Sequence, residues 1–249
     1  KRRTRFERIK IAFSKAPLSA WFGMIVLSIY LFAAFFAPFI APHGEAEVFP
    51  VAYAPWGGEH LLGTDQIGRD ILSRLIFASR NTLGICFLAC SIALIIGTIF
   101  GIIAAIDRSY IDQILSRSID TLMAIPVMIF TFILLSVFGP SNLNLILILG
   151  VLESTRFFRI SRSVAVGQVV LEYVEVAKLR GEKLSYIIFR EILPNIASPL
   201  IVEFGIRFIF IIFTVSSLSF LGLGIQPPAA DWAAMVRENA ILIQYAQYD

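Results

Sequence analysis

The chain has 249 residues, of which 57% are hydrophobic and 16% charged, with a formal net charge of +3. Soluble domains carry about 45–50% apolar and about 25% charged residues, so this composition argues against an ordinary soluble domain. The basic residues flank apolar runs instead of forming a patch of their own, which excludes a nucleic-acid reading and points to a membrane topology signal.

Three stretches contain no Asp, Glu, Lys or Arg: Ala16–Pro42, Asn81–Ile106 and Thr121–Leu152. A helix needs about 20 apolar residues to cross a bilayer core about 30 Å thick. In hydrocarbon only a structure that satisfies its own backbone hydrogen bonds survives, so these runs read as helices. The reading is an all-α, polytopic membrane helical bundle. The N-terminal apolar run is too long for a secretory signal, and no small-residue cleavage site follows it. The chain begins on Lys1, and its natural start is expected upstream.

In chain order, residues 1–18 form a basic arm with Lys1, Arg2, Arg3, Arg5, Arg8, Lys10 and Lys15. Residues 19–249 form a single transmembrane domain with five expected spans: Ser19–Ile40, Asn81–Ile106, Ile119–Phe138, Leu143–Ser161 and Ile196–Leu223. The arm's positive charge places the N-terminus in the cytoplasm. Alternation then puts segment 41–80 outside, Asp107–Arg117 inside, the uncharged turn Gly139–Asn142 outside, 162–195 inside, and the tail after Gly224 outside. Segment 41–80 is rich in Pro, Gly and aromatics and is a poor helix until Ile67, where a short amphipathic helix at the interface is expected. Gly222 and Gly224 are expected to end the fifth helix.

Cys86 and Cys90 sit one helical turn apart and read as small packing residues, since a disulfide within one turn is geometrically poor. Gly97 and Gly101 form a small-residue pair for close helix contact. Pro126 lies inside the third span and is expected to kink it. His43 and His60, with Glu45, Glu47 and Glu59, show no metal-ligand spacing, so no metal site is expected. Asp65, Arg69 and Asp70 are expected to hold the outer segment's fold or to contact a partner. Glu153 and Arg156, three residues apart near the middle of the fourth span, are expected either to pair with each other or, with Pro126, to line a translocation path, and Arg159 and Arg162 would extend a basic track from them. No phosphate-binding loop and no nucleophile arrangement is present, so no catalytic residue and no cofactor is expected in this chain.

The inner segment 162–195 carries the most specific pattern. Helical spacing through Val174, Ala177 and Lys178 leads to Gly181, a residue suited to a helix end. A second helical stretch then runs to Pro194, which is expected to close it. Glu175-Val176-Ala177, three residues, Gly181, nine residues and Glu191-Ile192-Leu193-Pro194 resemble the EAA loop of ATP-binding-cassette importer permeases. The family form is Glu-Ala-Ala, three, Gly, nine, Ile-x-Leu-Pro, and this chain departs from it at Val176 and Glu191. His60–Arg74, Asp120–Pro126 and Leu218–Pro228 resemble further blocks of the dipeptide/oligopeptide branch, C-type subunit, in the same order. The resemblance implies a permease that pairs with a second permease subunit as a heterodimer. It further implies two ATP-binding subunits carrying ATP and magnesium, an extracytoplasmic substrate-binding protein, surrounding membrane lipid, and a bacterial inner-membrane location. Glu175, Val176, Ala177, Gly181, Leu193 and Pro194 would form the ATPase-coupling loop, with Ala177 and Gly181 in the ATPase groove and Glu175 holding the loop. The family has a sixth span, which is expected beyond Asp249. The competing reading is a channel or ion-coupled transporter working without ATPases, for which Glu153 and Glu203 are the intramembrane carboxylates.

Overall fold

The computed structural model describes residues 13–14, 16–107 and 110–244; the basic arm, apart from its last residues, lies outside them. The chain is helical: α1 (Leu18–Ile40), α2 (Ile71–Ile106), α3 (Tyr110–Met123), α4 (Val127–Phe138), α5 (Asn142–Val169), α6 (Glu172–Leu179), α7 (Leu184–Phe220) and α8 (Trp232–Gln244). The described residues contain two isolated β-bridges and no strand. The chain forms two compact units, Lys1–Arg80 and Asn81–Asp249.

Three helices, α1, α2 and α7, are long and apolar enough to cross a membrane, and α3 with α4 makes a fourth if the bent pair is one span. The fourth expected span falls on α5. Glu153, Arg156 and Arg159 put too much charge on that helix for length and composition alone to make it a span.

Several boundaries differ from the sequence reading, each for a local reason. No interfacial helix stands apart before the second span. Nothing between Ile71 and Asn81 breaks the backbone pattern, so the amphipathic stretch is the first part of the 36-residue α2. The expected loop Asp107–Arg117 is largely α3. The expected third span is two helices and not one kinked helix: α3 and α4 meet at 86° across Ala124–Pro126. Pro126 has no N–H to continue the ladder and disfavours a helical residue before it, so the chain turns there. Pro194 does not close the stretch that follows Gly181. One wide turn with i→i+5 bonding spans Ile187–Ile192, Leu193 N–H donates to the Ile188 carbonyl, and the helix continues through Pro194 to Phe220. Such a turn gives a proline ring room without ending the helix. The tail after Gly224 contains α8. Asp231 caps α8 by accepting from Ala234 N–H (3.0 Å), and its other carboxylate oxygen takes the Thr82 hydroxyl of α2 (2.8 Å).

Two helix ends agree with the sequence. The turn Gly139–Asn142 is tight, with Ser141 capping α5 through Asn144 N–H (3.1 Å). α7 stops at Phe220, followed by Gly222 at φ +89°.

In the first unit a buried ion cluster organises the outer segment. Asp65 accepts from the Arg69 and Ile67 backbone N–H groups (2.9 and 3.0 Å) and the Arg69 side chain (2.7 Å), and it pairs with Arg74. Burial alone would raise the Asp65 carboxyl. The backbone donors of Arg69 and Ile67 and the Arg69 guanidinium outweigh it and hold the group below the usual carboxylate range. A depressed folded-state value means that the stabilisation is complete at neutral pH and is lost only as pH falls through that low value. The segment-holding role expected for Asp65 and Arg69 is therefore what the fold uses.

In the second unit α2 presents a row of small buried residues, Cys86, Ala89, Cys90, Ala93, Gly97, Gly101 and Ala105, on one face. Along it α5 approaches to backbone contact. A Cβ on Gly97 would collide with the Ser154 carbonyl and Phe157 Cβ, and one on Gly101 with Ser161 Oγ and the Phe158 carbonyl. Ser161 Oγ donates to the Gly97 carbonyl (3.1 Å) across this contact. One core cluster gathers Cys86, Cys90, Leu145, Leu149, Phe157, Ile211 and Val215; a second gathers Ile102, Ala105, Ala165, Val174, Ala177, Ile188, Ile192 and Ile196.

The two kinds of glycine on α2 predict opposite outcomes for one substitution. Gly84 has open space around its Cβ position, so Gly84→Ala should be neutral or raise stability by up to about 1 kcal/mol. Gly97→Ala should cost about 1–3 kcal/mol by overpacking. Thermal unfolding of the two variants in detergent checks this, and equal shifts would contradict the close-contact assignment.

Candidate functional site

The inner segment folds as helix, turn, helix. α6 is one face buried and one face exposed: Val174 and Ala177 are wholly buried, whereas Glu172, Glu175, Val176, Leu179 and Arg180 are exposed. It ends in a glycine cap. Gly181 N–H donates to the Lys178 carbonyl (2.9 Å) and Glu182 N–H to the Ala177 carbonyl (3.2 Å), with Gly181 at φ +74°. This paired 5→2 and 6→1 pattern requires the left-handed region at the glycine.

The buried side of α6 sits in the second core cluster, against the end of α2, the end of α5 and the first turns of α7. A polar tie supports it: Tyr173 hydroxyl donates to Gln168 Oε1 (2.8 Å), and Asn195 Nδ2 donates to the Tyr173 oxygen (3.3 Å) and the Glu191 carbonyl (2.6 Å). Burial raises the Tyr173 phenol above its ordinary value, partly opposed by the Asn195 bond and helped by the nearby Glu191 charge.

These positions refine the loop expected from the sequence. Gly181 makes the turn. The small side chain of Ala177 allows α6 to lie close on its own chain, and it does not face outward. Glu175 is exposed and has no ion pair among the described residues, and the polar tie on this side of α6 runs through Tyr173, Gln168 and Asn195. Leu193 is half-buried and Pro194 exposed, inside α7. Val176 (50% exposed) and Leu179 (81% exposed) are the apolar residues left open on the outer face of α6. Leu179 carries no motif signal, and only its helical phase relative to Ala177 could have found it.

Of the two sequence alternatives for the α5 charges, the structure does not form the mutual pair. Glu153 and Arg156 form no ion pair. Glu153 is buried, and its Oε2 has no hydrogen-bond partner. Arg156 is exposed and, with Pro126, Leu122 and Thr155, lines a small cavity of about 60 Å³ at the break between α3 and α4. The structure thus brings Pro126 and Arg156 together and leaves Glu153 on the buried side, within electrostatic reach of Arg207 and Arg156. Glu203 pairs with Arg207 (2.6 Å), whose guanidinium lies over the Phe210 ring (4.9 Å). No basic track continues inward. Arg159 pairs with Asp120 and Arg162 holds both oxygens of Asp112, at 2.6 Å each, so both charges are neutralised by α3.

Residues 97–246 match the family described as binding-protein-dependent transport system inner membrane component, and residues 13–55 match the N-terminal transmembrane domain of oligopeptide transport permease C. The chain belongs to this family of importer permeases. It is 34% identical over 228 residues to a dipeptide transport system permease protein of Alkalihalophilus pseudofirmus, with 91% of this chain and 75% of the relative covered. It is 35% identical over 232 residues to a dipeptide transport system permease protein of Escherichia coli (90% and 76% covered). It is 31% identical over 231 residues to a di/tripeptide transport system permease protein of Pseudomonas aeruginosa (90% and 76% covered). Family membership makes the chain a membrane-embedded transport component and not an enzyme, and an ion-coupled carrier working alone is not favoured.

Gly181 separates backbone from side-chain demands at the turn. No atom lies within 4 Å of a Cβ built there, so the loss on substitution is conformational, about 1–2 kcal/mol for a residue that resists positive φ. Gly181→Val should insert normally but lose most transport. Gly181→Asn should keep most of it, because Asn tolerates this region. Uptake in membranes with matched permease levels checks the pair; equal activity of the two would overturn the turn's role.

Proposed function

We propose that the chain forms one half of the translocation path for short peptides in an ATP-driven importer. The observation that carries this is the α6–Gly181–α7 turn, which exposes Glu175, Val176 and Leu179 on one side and buries Val174 and Ala177 in the core on the other. An ATP-binding subunit docked on the exposed side would press directly on a cluster shared by α2, α5 and α7. The partners in this reading are a second permease subunit as heterodimer, two ATP-binding subunits that hold ATP and magnesium, and an extracytoplasmic substrate-binding protein. The peptide class follows from the names of the similar permeases.

The proposed topology has five spans: α1, α2, the bent α3–α4 pair, α5 and α7, with the N-terminal arm, the α5–α7 turn and the single coupling segment 162–195 in the cytoplasm. α5 is tolerated as a span in this reading because the exposed Arg156 faces the Pro126 cavity and its other charges are covered. Glu153 is buried within the chain, and Arg159 and Arg162 meet carboxylates of α3. The segment 41–80 would face the binding protein. Labelling tests this topology. Ser185 and Ala52 are both exposed, and a cysteine at Ser185 should react only from the cytoplasmic side and one at Ala52 only from outside. Reaction of both from one side would exclude it.

Along the path, Arg156 at the Pro126 cavity and Glu153 behind it offer one charge of each sign to a zwitterionic peptide. Arg156 is exposed, so Arg156→Gln should fold and assemble. It should lower dipeptide uptake about tenfold, the order of a lost charge-assisted hydrogen bond of roughly 1.5 kcal/mol or more, and Arg156→Lys should recover part of it. Wild-type uptake by Arg156→Gln, with ATPase subunits bound, would remove Arg156 from the path.

A further inference from the structure

The outer segment gathers three side chains that the sequence keeps apart. One ring nitrogen each of His43 and His60 and a carboxylate oxygen of Asp70 all lie within 4.8 Å of one another. Linear spacing gives no hint of this, because Asp70 stands at the entry of α2 and His43 just past the end of α1. We propose that His43, His60 and Asp70 form a binding site for a divalent transition metal of the zinc class.

The geometry is close to what such an ion needs. Zinc ligands stand about 2.0–2.2 Å from the metal, which puts neighbouring ligand atoms of a tetrahedron roughly 3.3–3.5 Å apart. His60 Nδ1 is already 3.1 Å from Asp70 Oδ1. The His43 ring, its centroid 5.2 Å from that of His60, supplies the third donor, within 4.8 Å of the other two. Two imidazoles and one carboxylate suit zinc, cobalt, nickel or copper. Calcium and magnesium ask for six or more oxygens in their shell. Three protein ligands leave a fourth position for water or a further ligand.

The surroundings hold the donors as an outer shell does. Asp70 Oδ2 accepts from Ser73 N–H (2.8 Å) and the Ser73 hydroxyl (2.7 Å), which leaves Oδ1 for the site. Ser73 Oγ in turn accepts the His43 backbone N–H (3.0 Å), so one serine fixes the positions of two of the three donors. The His43 ring contacts the Glu59 carbonyl (3.3 Å). Phe49 packs on both imidazoles, with centroids 4.8 and 4.6 Å away, and orients their planes. Contacts of this kind orient metal ligands and tune their basicity. Asp70 is 2% exposed, while both histidines are half-buried, so an ion would enter from the imidazole side. A bound ion would tie the end of α1, the His60 loop and the start of α2 at one point.

The test uses the chain assembled with its partner subunits in detergent, stripped with chelator and titrated with cobalt(II) and zinc(II). Wild type should bind one more ion per chain than His43→Gln, with the intense visible absorption of four-coordinate cobalt. His43→Gln should weaken that binding at least about tenfold, since even an outer-shell loss costs 10–100-fold. The polar contact of the His43 ring is with the Glu59 carbonyl, which the Gln amide can also reach, and the variant's metal-free melting temperature, expected to stay close to wild type, shows that it folds. His60→Gln should abolish the same ion. Equal stoichiometry and affinity in wild type and His43→Gln, or no saturable ion in wild type, would overturn the site whether or not the chain transports peptides.

Discussion

Where α2 meets α5 there is no space for a side chain, and that contact sets the position of everything downstream in the second unit. Gly97 and Gly101 allow it, and Ser161 closes it with a hydrogen bond to the Gly97 carbonyl. In hydrocarbon there is little hydrophobic force between helices, so small residues and close backbone approach supply the packing. The outer part of the contact borders the cluster around Phe157 and Leu149, and the inner part borders the cluster that receives α6. Because α5 leads through Val169 directly into α6, its seat on α2 also fixes where the inner turn stands.

Charge placement follows the same economy. A charge buried without a partner is costly, and removing one member of a buried pair costs several kcal/mol. Asp65 therefore serves both Arg69 and Arg74, Glu203 serves Arg207, and Asp112 and Asp120 of α3 answer Arg162 and Arg159 of α5. The α3–α5 pairs have a further effect. They bind α3 to α5, against which α4 also packs beyond the 86° bend. Glu153 stands outside this pattern, with one carboxylate oxygen unpartnered in the core.

The membrane class, the apolar runs and the inner turn were legible in the sequence because each rests on a local rule: run length against bilayer thickness, and a glycine where positive φ is needed. What was not legible depended on tertiary context. Pro126 and Pro194 are the same residue type in apolar surroundings. One breaks a helix and the other lies inside one, because a wide turn over Ile187–Ile192 accommodates the second. The inward face of Ala177 depends on helical phase against a core that only the fold assembles. The i, i+3 spacing of Glu153 and Arg156 left open whether they pair with each other or line a path together, and the two side chains have different surroundings, one in the core and one at the Pro126 cavity. The His43–His60–Asp70 cluster arises from a loop that doubles back, which no spacing rule encodes.

In the proposed reading, the mechanical question is how a push on a short helix reaches the far side of the membrane. α6 has only eight residues and could not act as a lever by itself. Its buried side chains, however, contact the first turns of α7, a continuous 37-residue helix. At about 1.5 Å per residue that helix is roughly 55 Å long, more than the thickness of the hydrocarbon core. Packed interiors have low compressibility and pass displacement on as whole-element motion. A movement at Val174 and Ala177 is thus carried along α7 to Gly222 and the loop that leads to α8, whose cap Asp231 is bonded to Thr82 on α2. The same push reaches α2 at its other end through Ile102 and Ala105. Two long helices are linked at both ends, so the geometry favours their moving as a pair. α3 and α4, which meet at 86° across Ala124–Pro126, both pack on α5, so in this reading a shift of the pair reaches them through α5.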